Sequence, residues 1–323
     1  MKDLREVPQN TGRSNGPEGY AAMREGAAVL DRPERPVLRL TGKDPVGMLN
    51  AILTNEVPKG AHGVYALLLN PKGRVQTDLR VVRAGEDVLI DTEREGAGAA
   101  REILGRYAPF SRVKLEDLSS SWSVVGLYGP DAGGLLGGLE AAQHASVEVE
   151  LGGLNLLAVG VAHPVPGFDL IGPSDDLTAA REHLIERGAT PAYRPAYETA
   201  RIEAGVPRFG TDITPDNFPG ETGILDRAVS FHKGCYPGQE TVARMRYRGH
   251  PNKPLYRLAI EGAEAQAGAK ILQNGKTVGA VTSVAPLPVG DRVLALGYLS
   301  RGADTEGPLE AGQAGIRVLG PAS

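Results

Sequence analysis

Glycine and proline interrupt this chain at about every fifth residue, 43 and 24 of 323, so it folds from short elements joined by many turns. That density stays below the roughly one quarter at which composition turns low-complexity, and no repeat or biased run is present. Apolar residues at 41% and charged residues at 23% are ordinary for a globular protein. A single core stops growing well before 323 residues, so two or three domains are expected.

Composition excludes several functions. A net charge of −4 and only 5% aromatics argue against nucleic acid or an anionic membrane as partner. No apolar run approaches the roughly 18 residues of a spanning helix, and Met1–Tyr20 lacks the apolar core of a secretory signal. The single cysteine, Cys235, rules out an intramolecular disulfide and a four-thiolate metal site within one chain. It fits a reducing compartment, and a cytoplasmic protein is expected.

Residues 1–19 read as a loosely held polar arm. Val37–Leu40 alternates like a strand, and Asp44-Pro45 is an N-cap followed by a first-turn proline for a helix carrying Val46, Leu49, Ile52 and Leu53. Strands are expected at 64–70, 74–82 and 87–91. Thr92-x-x-Glu95 reads as a capping box for the next helix. A second unit begins near Ser119, with strands at 123–128 and 154–161. Helices are expected around 131–143 and 175–187, the latter ending at Gly188. Helical 194–204 leads into a long Gly- and Pro-rich segment, 205–231, of the kind that is either functional or disordered. Beyond a linker at 248–254 the pattern becomes short alternating strands, a small barrel or sandwich.

Three clusters carry candidate chemistry. In His232-Lys233-Gly234-Cys235-Tyr236-Pro237-Gly238-Gln239-Glu240, Cys235 is either a small buried hydrophobe or a thiolate favoured by Lys233 and exposed backbone N–H groups. A Cys235–His232 dyad lacks an evident third group. Within Glu198–Gly205, Arg201 and the carboxylates Glu198 and Glu203 are either a helix-surface pair or face a ligand. Arg244, Arg246 and Arg248, if extended, share one face: a solvated edge or a site for anionic groups. Gly133–Gly138 does not have the order of a dinucleotide fingerprint.

Lys233-Gly234-Cys235-Tyr236-x-Gly238-Gln239-Glu240 resembles the signature of YgfZ-type folate-binding proteins, a branch of the glycine-cleavage T-protein (aminomethyltransferase) family. Arg201–Pro207 with Phe209–Ile213, Leu40–Asp44, Leu53-Thr54-Asn55 and Asn70–Leu79 resemble family segments in the right order. The resemblance implies an α+β fold, a three-domain cloverleaf with a C-terminal small β-barrel. Its domains would be 20–117 with 190–248, then 118–189, then 249–323. It implies tetrahydrofolate, or a one-carbon derivative, as cofactor and Glu203 as the pterin's carboxylate, supported by Arg201, Gln239, Tyr236 and Asn55. Arg244 and Arg246 are added as cations for the folate tail. Cys235, Lys233 and Asp78 are the expected catalytic residues, and no metal is expected. The family's Asp-Asp pair is Thr77-Asp78 here, and Cys235 replaces its usual aspartate. Both departures match the YgfZ branch, which implies an accessory factor for iron–sulfur protein assembly or repair, with iron–sulfur proteins as clients. An aminomethyltransferase, or a folate-binding module without catalysis, are the alternatives.

Overall fold

The computed structural model describes residues 16–323. Residues 1–15 of the expected arm lie outside that span. Residues 16–19 instead open a helix, Gly16–Glu25, seated so closely on the chain around Ala192 that a Cβ on Gly19 would stand 2.8 Å from the Ala192 Cβ.

The first sheet is antiparallel, in the order Val64–Leu69, Val75–Ala84, Asp87–Asp91, Val37–Gly42, Val113–Asp117. Two helices cover one face. Pro45–Ile52 begins as its sequence dictates, the Asp44 carboxylate accepting from the Gly47 N–H at 2.8 Å. Arg94–Tyr107 does not use the expected capping box: Glu93 is its N-cap, with no side-chain cap bond. Thr92 Oγ1 donates instead to the Asp78 carbonyl, a tertiary partner that a local motif cannot reveal. Leu38, Leu40, Leu49, Ile52, Leu79 and Leu104 form the core between these layers, each buried leucine or isoleucine contributing about 1.5–3 kcal/mol.

The second sheet runs Thr190–Pro191, Ala28–Asp31, Trp122–Tyr128, Gly167–Pro173, Leu154–Val161, Ser146–Leu151. Ser174–Glu186 covers it and ends at Gly188, whose φ of 104° suits glycine. The helix expected at 131–143 is only one turn, Ala132–Leu135, because Gly137 and Gly138 leave at φ 74° and 83°. An apolar layer of Val37, Val82 and Leu89 from the first sheet meets Val124, Val159 and Ile171 from the second.

The remaining strands close a six-stranded barrel, Leu255–Glu261, Val293–Leu299, Lys276–Val284, Lys270–Gln273, Leu309–Ala311, Ala314–Pro321. Arg244–Arg248 is not extended: it is the last half of a helix, Gln239–Arg248, so helical spacing replaces the shared face expected for its arginines. Ile202 packs with Leu255, Leu294 and Leu296, fastening the Arg194–Glu203 helix to the barrel.

Candidate functional site

Period-two alternation along Val75–Ala84 sorts the Thr77-Asp78 pair into opposite environments. Thr77 is buried toward the Arg94–Tyr107 helix, where a Cβ on Gly96 would come within 1.9 Å of its Oγ1. Asp78 lies on the other face and lines a cavity of about 110 Å³. That is the scale of a heterocyclic ring system rather than of a whole folate.

The cavity wall mixes buried charged and hydroxyl groups with the apolar Val161, Pro164, Val206 and Pro207. Tyr65 donates to Asp78 Oδ2 at 2.7 Å, whereas Oδ1 is buried without a partner. Burial raises this carboxyl above its ordinary range. Arg80 faces Asp91 in the ladder and binds it through Nε at 2.9 Å. Arg35 also holds Asp91. Burial opposes ionisation of Asp91, yet the two guanidiniums keep it at about 2. Arg35 donates to Glu93 Oε1 at 3.0 Å; Oε2 has no partner, and burial pushes Glu93 up to about 7.

Arg80 crosses to the second sheet, 2.7 Å from Asp169 Oδ2. Tyr128 donates to Asp169 Oδ1 and receives Arg32 Nη1 at 2.6 Å. The Arg32 guanidinium stacks 4.0 Å from the ring centroid of Tyr197, on the Arg194–Glu203 helix. One turn on, Arg201 pairs with Glu198 and Asp212, both at 2.8 Å, and donates to Ser283 Oγ of the barrel at 2.9 Å. Arg208, Arg227, His144 and His163 also line the cavity. Arg208 Nε and Nη1, Arg227 Nε and His144 Nδ1 are buried without partners, and burial holds His144 down to about 4.

Of the site residues expected from sequence, Asp78 and Arg201 line this cavity. Glu203 does not. Its carboxylate accepts from Tyr20 and Arg24, both at 2.6 Å, and fastens the Gly16–Glu25 helix. Cys235 is exposed and also lies outside the cavity wall, so neither the expected pterin carboxylate Glu203 nor the expected catalytic Cys235 lines it. Lys233 does not offer its charge to the thiol as expected. Its Nζ donates to the carbonyls of Asn50, Leu53 and Asn55 at 2.9, 2.5 and 3.1 Å, closing the end of the Pro45–Ile52 helix.

Tyr236 is buried among Leu67, Leu69, Val75 and Phe209 rather than facing a ligand. Asn55 Nδ2 donates to the carbonyls of Tyr65 and Arg227, both at 3.0 Å, positioning two wall residues from behind. Gln239 starts the Gln239–Arg248 helix, outside the wall. Arg246 pairs with Asp226 at 2.5 Å and stacks on Phe231; Arg244 is likewise away from the cavity. Neither of the arginines expected as tail cations lines this cavity. Sequence reasoning missed Tyr65, Arg80, Glu93, Asp169, Arg208 and Arg227. A signal was available for Asp169, a charge inside the apolar strand Gly167-Phe168-Asp169-Leu170-Ile171.

The cavity, walled largely by paired arginines and carboxyls, lies where two α+β layers meet the barrel. Residues 15–233 match the family of the GCVT N-terminal domain, and the chain belongs to that family. It is 29% identical over 305 residues to the aminomethyltransferase of Thermus thermophilus, spanning 91% of this chain and 84% of that protein. It is 28% identical over 303 residues to that of Rubrobacter xylanophilus, spanning 90% and 80%. Its fold is that of the glycine cleavage system aminomethyltransferase T from Bartonella henselae, with a TM-score of 0.82 at 22% identity over 93% of this chain and 87% of that one. The expected α+β architecture with a closed C-terminal barrel is therefore observed.

Proposed function

We propose that this protein binds tetrahydrofolate or a one-carbon derivative in the cavity and acts as an aminomethyltransferase. The observation that carries the reading is Asp78: a buried carboxyl on the cavity wall with one oxygen fixed by Tyr65 and the other free. Only one member of an acidic pair on a strand can face the cavity, and the retained aspartate is that member, so Thr77 does not remove the group that counts.

The wall suits the cofactor. A pterin edge offers N–H donors, and charge-assisted bonds to a carboxylate are about twice as strong as neutral ones. Asp78 and Glu93 have free oxygens for them, and Asp169 lies on the same wall. The unpartnered guanidinium N–H groups of Arg208 and Arg227 suit the carbonyl and lone-pair nitrogens of that ring system. Tetrahydrofolate, when bound, supplies the nitrogens that accept a one-carbon unit. The chain's own part is to fix Asp78 through Tyr65, hold the acceptor in a dry polar wall and keep bulk water out. Folate-dependent ammonia release from an aminomethyl-loaded lipoyl carrier protein tests this reading. Turnover in wild type with at least a hundredfold loss in Asp78→Asn is expected, and absence of turnover in wild type overturns it.

One observation favours a second reading. Cys235 is an exposed thiol on a glycine-flanked turn, which supports a folate-dependent role toward iron–sulfur client proteins of the YgfZ kind. In that case Cys235→Ser abolishes support of cluster enzymes in a deletion strain while leaving folate affinity unchanged. Full complementation contradicts it.

A further inference from the structure

We propose that Asp78 and Glu93 form a carboxyl pair that keeps one proton between them near neutral pH, so that the cavity wall presents a hydrogen-bond donor and an acceptor side by side. Arg80 and Asp91 are opposite one another in the antiparallel ladder. Continuing that register by two residues on each strand sets Asp78 opposite Glu93, on the same face, where cross-strand Cβ atoms stand about 4.5–5.5 Å apart. Both side chains are buried. Each has one oxygen occupied, by the Tyr65 hydroxyl and by Arg35, and one oxygen without a partner.

The surrounding cations are largely engaged elsewhere. Facing this corner are the guanidiniums of Arg32, Arg35, Arg80, Arg194 and Arg227, and the carboxyls of Glu34, Asp78, Asp91, Glu93 and Asp169. Arg32 is taken by Glu34, Asp91 shares Arg35 and Arg80, and Asp169 takes Arg80 again. Arg201 and Arg208 are matched separately by Glu198 and Asp212, and His144 is held neutral near pH 7 by burial. Hydrogen-bond partners of Asp78 and Glu93 reach only one oxygen of each, and two buried carboxyls side by side with an unpartnered oxygen apiece hold a proton between them. Burial raises both members of the pair, Glu93 to about 7, and the Asp78 charge adds to the rise at Glu93.

Resting on the folate reading, the pair fits a heterocycle edge that sets an N–H donor beside a lone-pair nitrogen or carbonyl. A pair of ionised carboxylates would reject the lone pair.

The pair itself is tested in the ligand-free full-length chain by ¹³C NMR of side-chain carboxyl carbons, titrated from about pH 5 to about pH 8.5. Asp78→Asn and Glu93→Gln supply the assignments. Asp78 and Glu93 should report one shared titration near pH 7, and each single variant should move the survivor's titration to lower pH. Two carboxyls already ionised at about pH 5.5 overturn the proposal. Calorimetry with tetrahydrofolate tests recognition. Wild-type affinity should fall about tenfold per pH unit above the shared titration, whereas Glu93→Gln, a permanent donor, binds independently of pH. The same pH profile in both proteins overturns the recognition role. A wild type that binds no tetrahydrofolate overturns the folate reading, while the NMR titration still decides the pair.

Discussion

Single atoms decide which residues matter. Glu203 has the sequence context of a ligand carboxylate, yet both oxygens are occupied by Tyr20 and Arg24. Glu203→Ala is therefore expected to leave tetrahydrofolate affinity within about twofold of wild type and to lower stability by about 0.5–1 kcal/mol. Thermal melts and calorimetry check both. A large affinity loss would return Glu203 to the site. Glu93 gives a pH signature. Its folded value, about 7, lies above the ordinary 4.5, so the folded state binds more protons across that window. The stability this carboxyl contributes falls as pH rises from about 4.5 to about 7. Glu93→Gln should flatten that limb of the stability–pH curve by up to about 3 kcal/mol, read by urea unfolding at several pH values.

At the scale of elements, what was legible in sequence was local. Asp44-Pro45 announced a helix and Gly188 ended one because caps act through neighbouring backbone. Thr92 misled because its hydroxyl reaches Asp78, fourteen positions away. Arg244–Arg248 alternates like a strand yet is helical, with Val242 of that helix buried among Tyr236, Phe209 and Ile224. The site was less legible still, since its wall is drawn from strands, a helix and loops far apart in sequence. Asp78 was found through a motif; Glu93 and Asp169 required the strand register and the meeting of the sheets. Lys233 belongs to this scale as well, tying a late turn to the Pro45–Ile52 helix through three carbonyls. Lys233→Met should destabilise the fold by about 1–3 kcal/mol while leaving the reaction rate of Cys235 with a mild thiol reagent unchanged. A changed thiol rate would restore the coupling between the two that the geometry argues against.

For the whole molecule, the cavity exists because three layers converge on one polar junction. Arg80 links the first sheet to Asp169 of the second, and Arg201 links the helix to Asp212 and to Ser283 of the barrel. Asp212→Ala strands Arg201 as a buried charge with one remaining carboxylate partner. A loss of about 3–5 kcal/mol is expected, with the barrel loosened first in hydrogen exchange. On the proposed function, the ligand is gripped by the Asp78 wall and not at Glu203. Calorimetry with tetrahydrofolate on wild type, Asp78→Asn and Glu203→Ala tests it most directly. A loss of about 30–100-fold is expected for Asp78→Asn, from removing a buried charge-assisted contact, with near-native affinity for Glu203→Ala. The reverse order of the two variants would contradict it.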